Sequence, residues 1–289
     1  MKLTDINDIK KLLSEEGFRF SKSMGQNFLT AAWVPERIAE EANLDAGTGV
    51  LEIGPGIGCL TEQLSMRAGK VLALELDRSL KPVLKRTLSG RDNVEIVFAD
   101  AMKTDIPALC LDRFGEMRRC ACANLPYNIT SPIITTLLEA RCFDSVTVMI
   151  QREVARRICA RPGTADYSSF SVLVQWYAEP KMLFDVGPEC FIPQPKVTST
   201  VLRLDCRKEP PVSVKSERIF FRTVRGAFAV RRKTLLNALS SAFGELNKDE
   251  LRNIIVSCGF DEKIRGETLG IGDFAKISDG IWHYFNKNL

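Results

Sequence analysis

Val50-Leu51-Glu52-Ile53-Gly54-Pro55-Gly56-Ile57-Gly58 is a short apolar run that breaks into three alternating glycines. The run has the length of a buried strand. The glycines permit a sharp entry into a helix, expected from about Leu60 to Ala68. Reading outward, Lys70 to Leu76 gives a second strand and Leu80 to Leu88 a helix. Val94 to Phe98 is a third strand, and residues 120–123 are a fourth. Helix 131–140 and strand 145–150 follow. Strand and helix alternate, as in an α/β fold with a doubly wound, mostly parallel sheet. Toward the N-terminus, residues 5–16 and 34–42 read as helices around an irregular polar stretch. After helices 151–160 and 168–177, the alternating runs 181–186 and 197–204 predict an antiparallel hairpin at the sheet edge.

In an open α/β sheet, ligands bind at the carboxyl ends of the strands. Four features fall there: the Gly54-x-Gly56-x-Gly58 turn, Glu75, Asp100, and Asn124-Leu125-Pro126-Tyr127. A carboxylate about 20 residues beyond the glycine turn suits ribose hydroxyls. A dinucleotide turn requires G-x-G-x-x-G, and a P-loop requires G-x-x-x-x-G-K-[ST]; neither is present. The spacing favours an adenosyl group without phosphates, such as S-adenosylmethionine. A tight strand–helix turn with no ligand is the plainer reading of the same glycines.

Asn124-Leu125-Pro126-Tyr127 suits chemistry on the exocyclic amine of a flat heterocycle. The lone pair of such an amine is delocalised into the ring, so it is a poor nucleophile. An Asn side-chain oxygen and a backbone carbonyl ahead of a proline can accept hydrogen bonds from its two N–H groups. The Tyr ring can stack on the base. Taken alone, the same four residues also make an ordinary turn.

The chain has 289 residues, enough for one large and one smaller domain. The Pro-rich stretch Cys206 to Val214 reads as the junction, giving domains 1–205 and 206–289. Beyond it the pattern is helical, at 216–229, 231–242, 248–257 and 273–286, so the second domain is expected to be all-α. Residues 206–289 carry 15 Lys and Arg against 10 Asp and Glu, whereas residues 1–205 carry 25 against 26. No acidic residue lies between Arg218 and Gly244. Arg222, Arg225, Arg231, Arg232 and Lys233 in that span are candidates for phosphate contact, with a solvated helix face as the alternative.

Nine cysteines without C-x-x-C spacing read as reduced, mostly buried thiols, and no metal site is expected. The single histidine, His283, offers little basis for nucleophilic catalysis. There is no apolar run long enough to cross a membrane, and the charged N-terminus lacks a secretory core, so a cytoplasmic location is the expectation. A monomer is the default expectation, with no residue pattern behind it.

With these motifs in order, the chain resembles the ribosomal RNA adenine N6,N6-dimethyltransferases, relatives of the macrolide-resistance methyltransferases. The resemblance covers nearly the whole sequence. It rests on Lys22-Ser23-Met24-Gly25-Gln26-Asn27-Phe28-Leu29, on Leu51 to Thr61, on Glu75-Leu76-Asp77, and on Asp100. It rests also on Asn124-Leu125-Pro126-Tyr127-Asn128-Ile129 and on Phe191-Ile192-Pro193-Gln194-Pro195-Lys196-Val197-x-Ser199. The resemblance implies a Rossmann-like class I S-adenosylmethionine-dependent methyltransferase domain. It places the donor against Gln26, Asn27, Leu29, Gly54, Gly56, Glu75, Asp100 and Asn124. It sets the target adenine between Tyr127 and Phe191, with its amine toward Asn124 and the Leu125 carbonyl.

Arg225 to Leu235 is similar to the basic helix start of the ribosome-biogenesis branch, although Gly226 and Val230 replace an expected Ala and an expected polar residue. That branch implies two neighbouring adenosines near the end of small-subunit ribosomal RNA, in a pre-ribosomal particle. Methylation of large-subunit RNA and a non-catalytic RNA-binding role are the alternatives.

Overall fold

The computed structural model describes residues 1–18, 27–230 and 232–287. In chain order they form α1 (Ile6–Glu15), β1 (Phe28–Leu29), α2 (Trp33–Glu41), β2 (Thr48–Ile53), α3 (Cys59–Ser65) and β3 (Lys70–Glu75). Next come α4 (Lys81–Thr87), β4 (Val94–Phe98), α5 (Ile106–Phe114), β5 (Arg118–Asn124), α6 (Thr130–Glu139) and β6 (Ser145–Gln151). The chain continues through α7 (Arg152–Cys159), α8 (Ser169–Tyr177), β7 (Ala178–Val186), β8 (Phe191–Ile192) and β9 (Ser199–Cys206). It ends with α9 (Glu217–Ala229), α10 (Leu235–Ala242), α11 (Lys248–Ser257) and α12 (Ile271–Lys287).

Two compact units result. One is Met1–Ala155 with Ala178–Cys206, and the other is Arg156–Tyr177 with Arg207–Leu289. The first is built on a seven-stranded sheet of order β4-β3-β2-β5-β6-β9-β7. The strands from β4 to β6 are parallel, and β9 and β7 add the expected antiparallel edge. Every residue of β2 is buried, and Cys120 to Ala123 of β5 are at most 1% exposed. Small side chains there let helices close over both faces of the central strands. Strand order reverses between β2 and β5, so a crevice opens at their carboxyl ends.

α5 is an addition to the sequence reading. It is capped by Asp105, which accepts from the Ala108 N–H, and has Pro107 in its first turn. A two-stranded antiparallel ladder, Phe28 with Ile192 and Leu29 with Phe191, ties the N-terminal motif to the late Pro-rich one.

The unit boundary differs from the expected break at 206, because residues 156–177 belong to the second core. The Trp176 ring lies 4.2 Å from that of Phe220, and the Tyr167 hydroxyl donates to the Leu269 carbonyl at 3.0 Å. Apolar side chains of α8 are satisfied there with Leu239, Phe243 and Phe274. α10 starts at Leu235 rather than 231, because Thr234 is extended and caps it, accepting from the Asn237 N–H. Gly226 is required by close helix approach: a Cβ there would stand 2.5 Å from that of Ala242.

All nine cysteines are free thiols, and Cys59, Cys110, Cys120, Cys122 and Cys190 are buried. Among the described residues, no helix is long and apolar enough to cross a membrane, and no cluster of His, Cys, Asp or Glu could hold a metal ion.

Candidate active site

A cavity of about 250 Å³ opens at the carboxyl ends of β2, β3, β4 and β5. Its floor is the glycine turn. Gly54, Gly56 and Gly58 have φ of 69°, 59° and 92°, a region that disfavours side chains. Gly56 also passes close to Phe28, whose ring would lie 3.2 Å from a Cβ at that position. The turn therefore exposes backbone to the cavity and delivers the chain into α3.

Glu75, 5% exposed, stands at the end of β3. Its Oε2 accepts from the Gly56 N–H at 3.2 Å and its Oε1 from the Asp77 N–H at 2.8 Å. Burial raises its pKa, against the lowering effect of those two bonds. The carboxylate thus braces the glycine turn, and each oxygen keeps a lone pair for a ligand hydroxyl. Asp100 lies just past β4, with Oδ1 accepting from the Met102 N–H at 2.9 Å and Oδ2 3.7 Å from Lys103 Nζ. Leu76 and Met102, both more than 40% exposed, put apolar surface on the same lining.

Asn124 closes the opposite side. Its Nδ2 donates to the Asn27 carbonyl at 3.3 Å, which orients the amide and leaves Oδ1 as an acceptor. Leu125 is buried and its N–H donates to the Met149 carbonyl at 3.1 Å, ending the β5–β6 ladder. Pro126 starts a short 3-10 turn, Tyr127–Ile129, and its carbonyl accepts from the Thr130 hydroxyl. The carbonyl of Leu125 takes no hydrogen bond among the described residues. Tyr127 is half-buried on the cavity wall, and its hydroxyl is 2.7 Å from that of Ser199.

The structure therefore brings Asn27, Leu29, Gly54, Gly56, Glu75, Asp100, Asn124, Leu125, Pro126 and Tyr127 to one cavity. Gln26 lies outside the described residues. Phe191 does not line the cavity. Its pairing with Leu29 turns it into the core, 2% exposed, beside Leu29 and Val201. Sequence reasoning missed Glu52, although it stands within the run from Val50 to Gly58. This fully buried carboxyl lines the cavity, and burial pushes its pKa up to about 8. Its Oε2 has no hydrogen-bond partner among the described residues.

In the second unit, Arg225, Arg232 and Lys233 are exposed. Arg231 lies outside the described residues. Arg222 is already committed: its guanidinium forms a two-pronged pair with Glu245 at 2.9 and 2.7 Å, and its Nε donates to the Ala242 carbonyl. It is a brace between α9 and the end of α10 rather than a free cation. Arg265, unmarked in the sequence reading, donates to the Arg232 carbonyl at 3.2 Å and so joins the same surface. His283 is exposed on α12, in the second unit.

Comparison with known proteins bears on the whole chain. A family model described as ribosomal RNA adenine dimethylase matches residues 17–277. Ribosomal RNA small subunit methyltransferase A of Alkaliphilus oremlandii is 45% identical over 273 residues, covering 94% of this chain and 95% of that protein. Its namesake in Geobacillus kaustophilus is 45% identical over 282 residues, 96% of each. Among solved structures, a dimethyladenosine transferase from Plasmodium falciparum superposes with a TM-score of 0.73 at 27% identity, over 90% of this chain and 98% of that one. The 23S rRNA methyltransferase ErmE superposes with a TM-score of 0.66 at 27% identity, over 88% and 98%. The sheet is thus that of the class I methyltransferases. A family match spanning all but the two ends, on a fold whose strand ends carry the motifs in order, means that this chain belongs to the ribosomal RNA adenine dimethylase family.

Proposed function

We propose that this protein transfers methyl groups from S-adenosylmethionine to N6 of two adjacent adenosines in a loop near the 3′ end of small-subunit ribosomal RNA, giving N6,N6-dimethyladenosine during subunit biogenesis. One observation carries the choice of donor. The described lining of the cavity holds Glu75 and Asp100 beside the buried, neutral Glu52, and no Lys, Arg or His. Such a site attracts a sulfonium and an ammonium and repels the phosphates of a dinucleotide or ATP. Glu75 would take the ribose hydroxyls. Asp100 would take the donor adenine, with Leu76 and Met102 as apolar cover. Asn27, Leu29 and the glycine turn would hold the rest.

The reaction is an in-line displacement: the N6–methyl bond forms as the sulfur–methyl bond breaks, and the departing thioether is neutral. The protein has mainly to align the two reactants and to enrich the amine. Asn124 Oδ1 and the Leu125 carbonyl are acceptors on one side of the cavity, suited to the two N–H groups of adenine. Tyr127 supplies a ring for stacking, while Phe191, buried against β1, is not among the residues that line this cavity. The alkylated amine is acidic, so its proton passes to water without a protein base. A single-stranded loop suits this pocket, because its bases cost little to splay out. The second unit, with Arg225, Arg231, Arg232 and Lys233, would hold the phosphates around it.

The test is methyl transfer from labelled S-adenosylmethionine to purified small and large ribosomal subunits that lack adenine dimethylation, followed by nucleoside analysis. Dimethyladenosine on the small subunit is expected. Label confined to large-subunit RNA would reassign the substrate, and donor binding without transfer to either would remove the catalytic reading.

A further inference from the structure

We propose that Ser199 is a positioning residue for methyl transfer, acting through the Tyr127 ring; this rests on the proposed function above. The two hydroxyls are 2.7 Å apart, the length of a good O–H to O hydrogen bond. Tyr127 sits in a short 3-10 turn beyond the end of β5, without a strand partner of its own. A half-buried ring on such a turn has more than one staggered rotamer open to it unless something holds its far end.

Ser199 is placed to prevent this. It is 1% exposed and opens β9, which is paired on both sides, with Gln151 of β6 and Val186 of β7. Its neighbours are pinned too. The Thr198 carbonyl accepts from the Arg152 N–H at 3.0 Å, and the Thr200 hydroxyl donates to Asp185 at 2.6 Å. The Ser199 hydroxyl is thus a fixed point on a three-strand ladder, two strands away from β5. Anchoring the far end of the Tyr127 side chain to it fixes the ring plane before the base arrives. Burial raises the Tyr127 phenol pKa, so the hydroxyl stays protonated and able to donate.

The test is a double-variant cycle with Ser199→Ala and Tyr127→Phe, which each delete one half of the bond while keeping the ring. Loss of one hydrogen bond between neutral groups corresponds to about a fivefold change. Each single variant is therefore expected to lower kcat on small subunits about fivefold to tenfold. The KM for subunits and the donor Kd should hold, since the particle is gripped elsewhere and the donor lies on the other wall. The double variant should fall no further than either single one, because both remove the same interaction. Losses that multiply, or single variants as fast as the parent, overturn the proposal. Tyr127→Phe decides the matter alone if Ser199→Ala unfolds. A parent protein inactive on both subunits would take down the functional reading and this inference with it; a parent active on small subunits beside unaffected variants would remove this inference only.

Discussion

Asn124 and Glu52 are both at the ends of central strands, yet they are held in opposite ways. The Asn124 amide is oriented by the Asn27 carbonyl, so its acceptor face is set in advance. Asn124→Ala should lower methyl transfer by about 100-fold or more, the scale of losing a pre-set polar group at a reacting atom, with the melting temperature retained; near-normal methylation would remove this role for Asn124. Glu52 is held neutral. Its folded-state pKa of about 8 exceeds the ordinary 4.5, chiefly through burial, with Thr61 lowering it and nearby Glu75 raising it. A raised carboxyl pKa means that the folded state holds a proton the unfolded chain has released. The stabilisation is full below about 4.5 and is lost as pH rises through about 8. Glu52→Gln should flatten the pH dependence of the melting temperature across that window. An unchanged slope would show that the carboxyl does not titrate there.

The elements that form the site are short, and their ends matter more than their lengths. The glycine turn combines positive φ with a close neighbour at Gly56. Gly56→Ala should cost about 1 kcal/mol or more in backbone strain and press on Phe28, lowering donor affinity measured by calorimetry along with the melting temperature. In the second unit, α11 opens with a reciprocal capping box. Asn247 accepts from the N–H groups of Asp249 and Glu250, and Glu250 accepts from that of Asn247. Asn247→Ala should destabilise by about 1 kcal/mol in chemical denaturation, without changing donor binding.

For the whole molecule, charge divides the labour. The excess of basic residues lies beyond residue 205, whereas the described lining of the cavity is acidic. Reversing Arg232 and Lys233 to Glu should weaken subunit binding and reduce the slope of log affinity against log salt by about one per lost phosphate contact. Donor affinity should hold. Equal loss of donor binding would indicate misfolding instead. Arg222→Ala is a different experiment, since that side chain is spent on Glu245 and Phe243 and its loss would act through stability.

Much of the site was legible because its residues are local in sequence. A strand, a glycine turn and a helix are specified within one run, and the carboxylates that end the next strands follow at a spacing that the βαβ unit imposes. Asn124 to Tyr127 is likewise one contiguous turn, read directly from its residue types. The rest depended on contacts between distant segments. Phe191 faces the core because β8 pairs with β1, more than 160 residues earlier. Residues 156–177 join the second core because their aromatic side chains meet α9 and the 265–269 loop. Arg222 is removed from the pool of free cations by Glu245, and Ser199 of β9 reaches Tyr127 beyond β5 across the intervening β6. Periodicity and motif spacing report what a segment can form and which chemistry it carries. Which side chains are consumed by partners, and which remain open to a ligand, is decided only when remote segments pack.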